Sequence, residues 1–219
     1  VSPVKIEYSV DSGVNWLLIE NVTGTEGLNT YNWTSIPDKK SEICLIKVSD
    51  NRPGFSDIND TSNATFAIRP EINVTQPGSG QNVVVSSTTT PIRWTYTGTQ
   101  LDTVNIEYST NGGVNYTTVE NGVSASLGAT YIWPSVPATT TPNGLIKVYD
   151  STNAQVNDTS ATFNIIGSVR VVSPNGGNHL KVGSNQSVTW VSTSVTSVQP
   201  YYSLNNGGAW TPIGSPVPG

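Results

Sequence analysis

Ile92-Arg93-Trp94-Thr95-Tyr96, then Val104-Asn105-Ile106-Glu107-Tyr108-Ser109 running into Thr110-Asn111-Gly112-Gly113, is the stretch that decides the fold. Apolar and polar residues alternate in both runs, so Ile92, Trp94 and Tyr96 share one face and Val104, Ile106 and Tyr108 share another. A period of two belongs to a strand with one face buried. Asn-Gly-Gly after the second run is a turn signal, because tight hairpins need positive φ. Working outward, Ile146 with Val148 and Phe163 with Ile165 repeat the alternation. Pro77-Gly78, Asn121-Gly122 and Asn143-Gly144 mark further turns, and no segment shows a capped 3.6-residue period. About seven short strands within about 97 residues is the pattern of a Greek-key β-sandwich.

The pattern recurs. Val4-Lys5-Ile6-Glu7-Tyr8-Ser9 returns as Val104 to Ser109, and Tyr31-Asn32-Trp33 returns as Tyr131-Ile132-Trp133. Leu45-Ile46-Lys47-Val48 returns as Leu145-Ile146-Lys147-Val148, and Asn59-Asp60-Thr61-Ser62 returns as Asn157-Asp158-Thr159-Ser160. A third copy begins near Ser168, where Val169, Val171 and Trp190 answer Ile72, Val74 and Trp94, and Tyr202-Ser203 with Asn205-Asn206-Gly207 repeats the hairpin. The period of about 95–100 residues is that of a domain, not of a solenoid. The sequence therefore predicts an all-β chain of tandem sandwiches: residues 1–69 without their first strands, 70–167 complete, and 168–219 without their last strands. A half sandwich exposes half its core, so the chain is expected to be a piece of a longer parent, as its start at Val1 rather than Met also suggests. Ile68 to Ile72 and Ile165 to Val169 leave almost no linker, which predicts a semi-rigid rod.

Charge and composition exclude several functions. Ten Lys+Arg against fifteen Asp+Glu give a net charge of −5, and 11% of residues are charged. No basic cluster serves nucleic acid, and no run reaches the roughly 18 apolar residues of a membrane helix. Cys44 is the only cysteine and sits in Ile43-Cys44-Leu45-Ile46, which reads as a buried free thiol. With one His (His179) and one Cys, zinc sites and Ser-His or Cys-His catalysis lack their parts, so no enzyme is expected.

Three sets of residues remain as candidate sites. Trp94 and Trp190, Trp33 and Trp133, and Tyr8, Tyr108 and Tyr202 share strand faces with Val and Ile, which marks them as core. Trp16, Tyr116 and Trp210 follow the hairpin turns and are the candidates to face a ligand such as a sugar. Asp50, Asp57 and Asp60, with Asp150 and Asp158, gather around one predicted loop as candidate calcium ligands, although no Asp-x-Asp-x-Asp loop is present. Asn21, Asn32, Asn59, Asn63, Asn73, Asn115, Asn157 and Asn185 open Asn-x-Ser/Thr sequons. Asn59, Asn115 and Asn157 fall in predicted turns. Residues 86–90 and 139–141 are rich in Ser and Thr and suit O-linked sugar.

Ser173-Pro174-Asn175-Gly176-Gly177 followed by Val188-Thr189-Trp190 resembles the opening of an extracellular immunoglobulin-like or fibronectin-III-like repeat. Such repeats occur in large prokaryotic surface and surface-layer proteins, and similar β-sandwich repeats occur in fungal cell walls. The likeness spans essentially the whole chain, although Pro77-Gly78-Ser79-Gly80 departs from the Asn-Gly-Gly of the opening. The hairpin from Ser9 to Trp16 also resembles the Asp-box of sialidase propellers, but the period is about twice a blade's length. The resemblance implies an extracellular or cell-surface setting and a non-catalytic structural role as part of a surface layer, stalk or coat. Its partners would be copies of itself, other cell-surface components or glycans. An adhesin or carbohydrate-binding accessory, and a spacer beside an enzyme, are the alternatives it leaves open.

Overall fold

The alternation seen in sequence becomes strand after strand in the computed structural model, which describes residues 2–125 and 130–219. Among those residues every regular element is a strand, and no helix is long and apolar enough to cross a membrane. In the N-terminal segment β1 (Ser2–Ser9), β2 (Leu17–Gly24), β3 (Ser41–Asp50), β4 (Asn59–Thr61) and β5 (Phe66–Ile68) form one sheet in the order β2-β1-β3-β4, with β5 also paired to β3.

The middle segment adds a second layer. β6 (Ile72–Gln76), β8 (Pro91–Tyr96) and β11 (Thr130–Ile132) make a sheet ordered β11-β8-β6. β7 (Asn82–Val84), β9 (Thr103–Ser109), β10 (Thr117–Ser124), β12 (Thr141–Asp150), β13 (Asn153–Thr159) and β14 (Phe163–Ile166) make the other, ordered β10-β9-β12-β14-β7, with β13 on β12. The C-terminal segment holds β15 (Ser168–Ser173) against β16 (Thr189–Thr193). Four two-residue strands follow: β17 (Ser197–Val198), β18 (Tyr201–Tyr202), β19 (Thr211–Pro212) and β20 (Val217–Pro218).

The core is one cluster shared by both sheets of the middle segment, an arrangement consistent with a β-sandwich. Ile72, Val74, Ile92 and Trp94 come from the smaller sheet, and Val104, Ile106, Ile146, Val148, Phe163 and Ile165 from the larger. Period two does the sorting: Ile92 and Trp94 are buried while Arg93 and Thr95 face solvent. Each large apolar side chain so buried contributes about 1.5–3 kcal/mol. Trp94 and Trp133 are both 2% exposed, which makes them core as expected. Tyr108 tilts against Trp133 at a ring separation of 5.2 Å, and Tyr8 meets Trp33 at the same 5.2 Å in the N-terminal segment.

The long strands β3 and β12 carry the same irregularity, between Ser41 and Cys44 in one and between Thr141 and Gly144 in the other. Cys44 is fully buried and free, opposite Phe66. At the matching place, a Cβ on Gly144 would lie 2.7 Å from the Phe163 ring, which is itself fully buried. The N-terminal segment accommodates the cysteine because Phe66 is only half-buried. Gly144→Ala is therefore expected to lower the unfolding free energy of the chain by about 1–3 kcal/mol through overpacking, read by urea unfolding; an unchanged midpoint would show that Phe163 yields freely.

Candidate functional site

Three hairpins are stapled by one pattern of bonds. Ser9 Oγ donates to Asp11 at 2.7 Å and accepts from Gly13 N at 2.8 Å, while Asn15 N donates to Asp11 at 2.8 Å. Ser109, Asn111, Gly113 and Asn115 repeat this at 2.8, 2.9 and 3.0 Å. Ser203, Asn205, Gly207 and Ala209 repeat it at 2.9, 2.8 and 2.8 Å. The chain reverses through two successive left-handed residues, Gly112 (φ 69) and Gly113 (φ 90) in the middle hairpin, a backbone that favours Asn and Gly. The Asp-box likeness is thus a turn device that works equally with Asp or Asn. The bonds donated by the Asn15 backbone, Ser9 hydroxyl and Asn15 side chain hold Asp11 down at about 2.

The turns place the three candidate aromatics in different surroundings. Trp16 is half-buried beneath the Lys47 ammonium, 4.2 Å from its ring centre. Tyr116 is half-buried with Lys147 at 5.5 Å. A sugar stacking on either ring has to displace that lysine, which Glu7 also holds at 3.1 Å in the first case. Trp210 differs, being 62% exposed.

The aspartates are not gathered into a cation site. Among the described residues, no three His, Cys, Asp or Glu side chains form a group able to hold a metal ion. Asp50 is clamped by Arg52, whose Nη2 lies 2.5 Å away, and Asp158 accepts from Val74 N at 2.7 Å. Asp150 pairs with Lys40 and accepts from Thr152 N at 2.8 Å. Asp57 and Asp60 are exposed and have no such partner among the described residues. All eight sequon asparagines are exposed. Asn115 lies in a turn, whereas Asn59 opens β4 and Asn157 lies within β13, since the turns come just before them.

What sequence reading missed is the joint between the first two segments. Asp38, Lys40 and Glu42 alternate into the start of β3, and all three reach residues of the middle segment. Thr99 N donates to Asp38 at 2.8 Å, Lys40 Nζ pairs with Asp150 and donates to Thr152 Oγ1 at 2.6 Å, and Asn153 Nδ2 donates to Glu42 at 2.6 Å. Arg69, in the three-residue connection from β5 to β6, closes on Glu42 at 2.6 Å. The acid–base–acid rhythm of Asp38, Lys40 and Glu42 in a chain so poor in charge was the available signal. The second joint uses the corresponding loops without charge: Ser194 Oγ donates to Ala138 O, and Gly167 alone separates β14 from β15. A Cβ on Gly167 would lie 2.6 Å from Ser194 O.

Two apolar faces stay open. Val4, Ile6, Val22, Trp33, Ile46 and Val48 line a groove of about 460 Å³ on the N-terminal sheet. Val169, Val171, Val188, Trp190, Tyr201 and Trp210 line one of about 550 Å³ in the C-terminal segment. No family model matches the chain, and no curated protein matches it either.

Asp150 is 2% exposed; burial pushes its pKa up, but the Lys40 pair and the Thr152 bonds outweigh this and hold it below the ordinary range. A carboxylate depressed on folding adds stability above about pH 4 that disappears as pH falls through the folded value. Lys40→Met strands that carboxylate and is expected to cost about 2–3 kcal/mol, less than a fully buried pair because Lys40 stays partly wetted. Hydrogen exchange across residues 150–153 measures it, and wild-type protection there would count against the joint. The Gly13 amide is also expected to lose protection between about pH 4 and pH 2, as Asp11 titrates, while Gly113 and Gly207, held through Asn, do not. Parallel loss at all three would refute the assignment.

Proposed function

We infer that the chain is a segment of a non-catalytic extracellular structural protein, part of a surface layer, stalk or coat. On this reading its segments are tandem immunoglobulin-like Greek-key sandwiches, with boundaries at residues 69/70 and 167/168. The observation that carries it is the first joint: a three-residue connection with charged side chains bridging the two segments on either side. Such a joint suits a protein that must hold its modules in a fixed attitude, since it opposes the motion expected between loosely tethered domains. Exposed sequon asparagines accord with an extracellular surface, and a low charge density favours lateral packing.

A second reading, an adhesin or carbohydrate-binding accessory, is favoured by Trp210, exposed beside Tyr201 in the C-terminal groove. A sugar needs one open aromatic face next to polar neighbours, and Trp210 has the open face.

Electron microscopy of the protein with calcium and with a chelator separates the two. Ordered sheets or filaments are expected in both, because Asp50, Asp150 and Asp158 are engaged by Arg52, Lys40 and Val74 N rather than left for a cation. Arrays that dissolve on chelation would restore calcium as the assembling ion. Dispersed particles throughout, with glycan binding lost on Trp210→Ala, would replace the structural reading by the adhesive one.

A further inference from the structure

The buried apolar cluster of the middle segment runs from Ile72 to Ile165 and takes in no residue of the first segment. Pro70, buried in the connection, is the apolar piece of the first joint. Around it the two segments meet closely: at Gly98 (φ 82) a Cβ would lie 2.9 Å from Asp38 Oδ1 and 3.7 Å from Pro70. Adhesion across this joint therefore comes from polar groups, and most of them are charged. Thr99 N donates to Asp38 at 2.8 Å, Arg69 and Asn153 each donate to Glu42 at 2.6 Å, and Lys40 pairs with Asp150.

Other charges stand around this set. Lys39 lies between Asp38 and Lys40, Glu71 follows Pro70, and Asp102 precedes Thr103, whose carbonyl accepts from Ser151 N. With all groups ionised, Asp38, Glu42, Glu71, Asp102 and Asp150 outnumber Lys39, Lys40 and Arg69. With the carboxylates protonated, the three cations remain and have lost their partners, so attraction across the joint turns into repulsion. Three of these acids ionise below the ordinary carboxylate range. The Thr99 backbone bond does this for Asp38 and the Arg69 guanidinium for Glu42. Burial pushes Asp150 up, but Lys40 and the Thr152 bonds outweigh it. What such groups add on folding is present above about pH 4 and is lost as pH falls through their folded values.

The two neighbouring positions in the chain are built differently. Asp50, the counterpart of Asp150, is closed by Arg52 of its own loop at 2.5 Å. Thr152 stands in the place of Arg52, which leaves Asp150 to a lysine of the other segment. At the second joint Ala138, Thr140 and Pro142 replace Asp38, Lys40 and Glu42, and Ser194 Oγ donates to Ala138 O.

We propose that the first joint is an acid-released hinge: protonation of Asp38, Glu42 and Asp150 frees the first segment to swing about Arg69-Pro70-Glu71, while the second joint stays closed. The proposal rests on the reading of the chain as modules held in a fixed attitude, and it gives that rod one point of bending.

Residual dipolar couplings of the backbone amides of the 219-residue chain test it. At neutral pH the couplings of residues 2–68 and 72–166 are expected to fit one alignment tensor. At about pH 2.5, below the ordinary carboxylate range, residues 2–68 should need a tensor of their own. The amide shifts of β1, β3, β9 and β12 should stay those of folded strands, and residues 168–218 should keep the tensor of the middle segment. The triple variant Asp38→Asn, Glu42→Gln, Asp150→Asn should lose the shared tensor already at neutral pH. Its amide oxygens still accept from Thr99, Asn153 and Thr152, so a joint held by hydrogen bonds alone would remain closed. Where one of these two samples unfolds, the other decides. A tensor shared at both pH values, a triple variant that stays closed, or a third segment released together with the first overturns the hinge. Separate tensors in the wild type at neutral pH would remove the fixed-rod reading as well, whereas one shared throughout leaves that reading standing.

Discussion

A sheet with one apolar face must have that face covered, and this constraint governs the whole chain. Where the cover is present, the result is a sealed interior: Trp94 and Ile92 lie over Ile146 and Val148, with Phe163 and Trp133 completing the cluster. Close packing follows from it, because an interior at crystal-like density has no room for a side chain at Gly144. Where no second sheet lies over them among the described residues, identical residues at identical register stand half in water, as Ile6 and Val48 do. The difference between the segments is thus one of neighbours and not of composition.

The ten-residue strands β3 and β12 organise their sheets, each pairing along its second half with β1 or β9 and along its first half with the last strand of its segment, β5 or β14. Outer faces are polar and internally neutralised. Glu7 lies between Lys5 and Lys47 at 3.1 Å each, and although burial pushes its pKa up, those two ammonium groups hold it below the ordinary range. Lys47 in turn covers Trp16. Such ladders of alternating charge and aromatic ring keep a broad sheet surface soluble without leaving it adhesive.

The joints show how one geometry accepts two chemistries. Both set the loop after a proline, Pro37 or Pro137, against the loop that follows a covering strand. The first is fastened by carboxylates and lysine and the second by a hydroxyl on a carbonyl. A charged joint is sensitive to pH and salt while a neutral one is not, so the two ends of the middle segment respond differently to the same medium.

The sequence by itself determined the strands, the hairpins and the all-β class, because period-two alternation and Asn-Gly turns are local properties that each residue expresses with its near neighbours. Burial of Trp94, Trp133 and Cys44 was legible for the same reason: their strand faces carry Val and Ile throughout. Only the tertiary structure decided what lies across space. Asp50, Asp150 and Asp158, alike in sequence, found an arginine, a lysine and a backbone amide at 2, 110 and 84 residues' distance along the chain. Trp16 and Tyr116 lie half-buried against lysines of β3 and β12, while Trp210 was left open. A titratable or aromatic group takes its chemistry from what packs against it, and that is set by how the sheets meet.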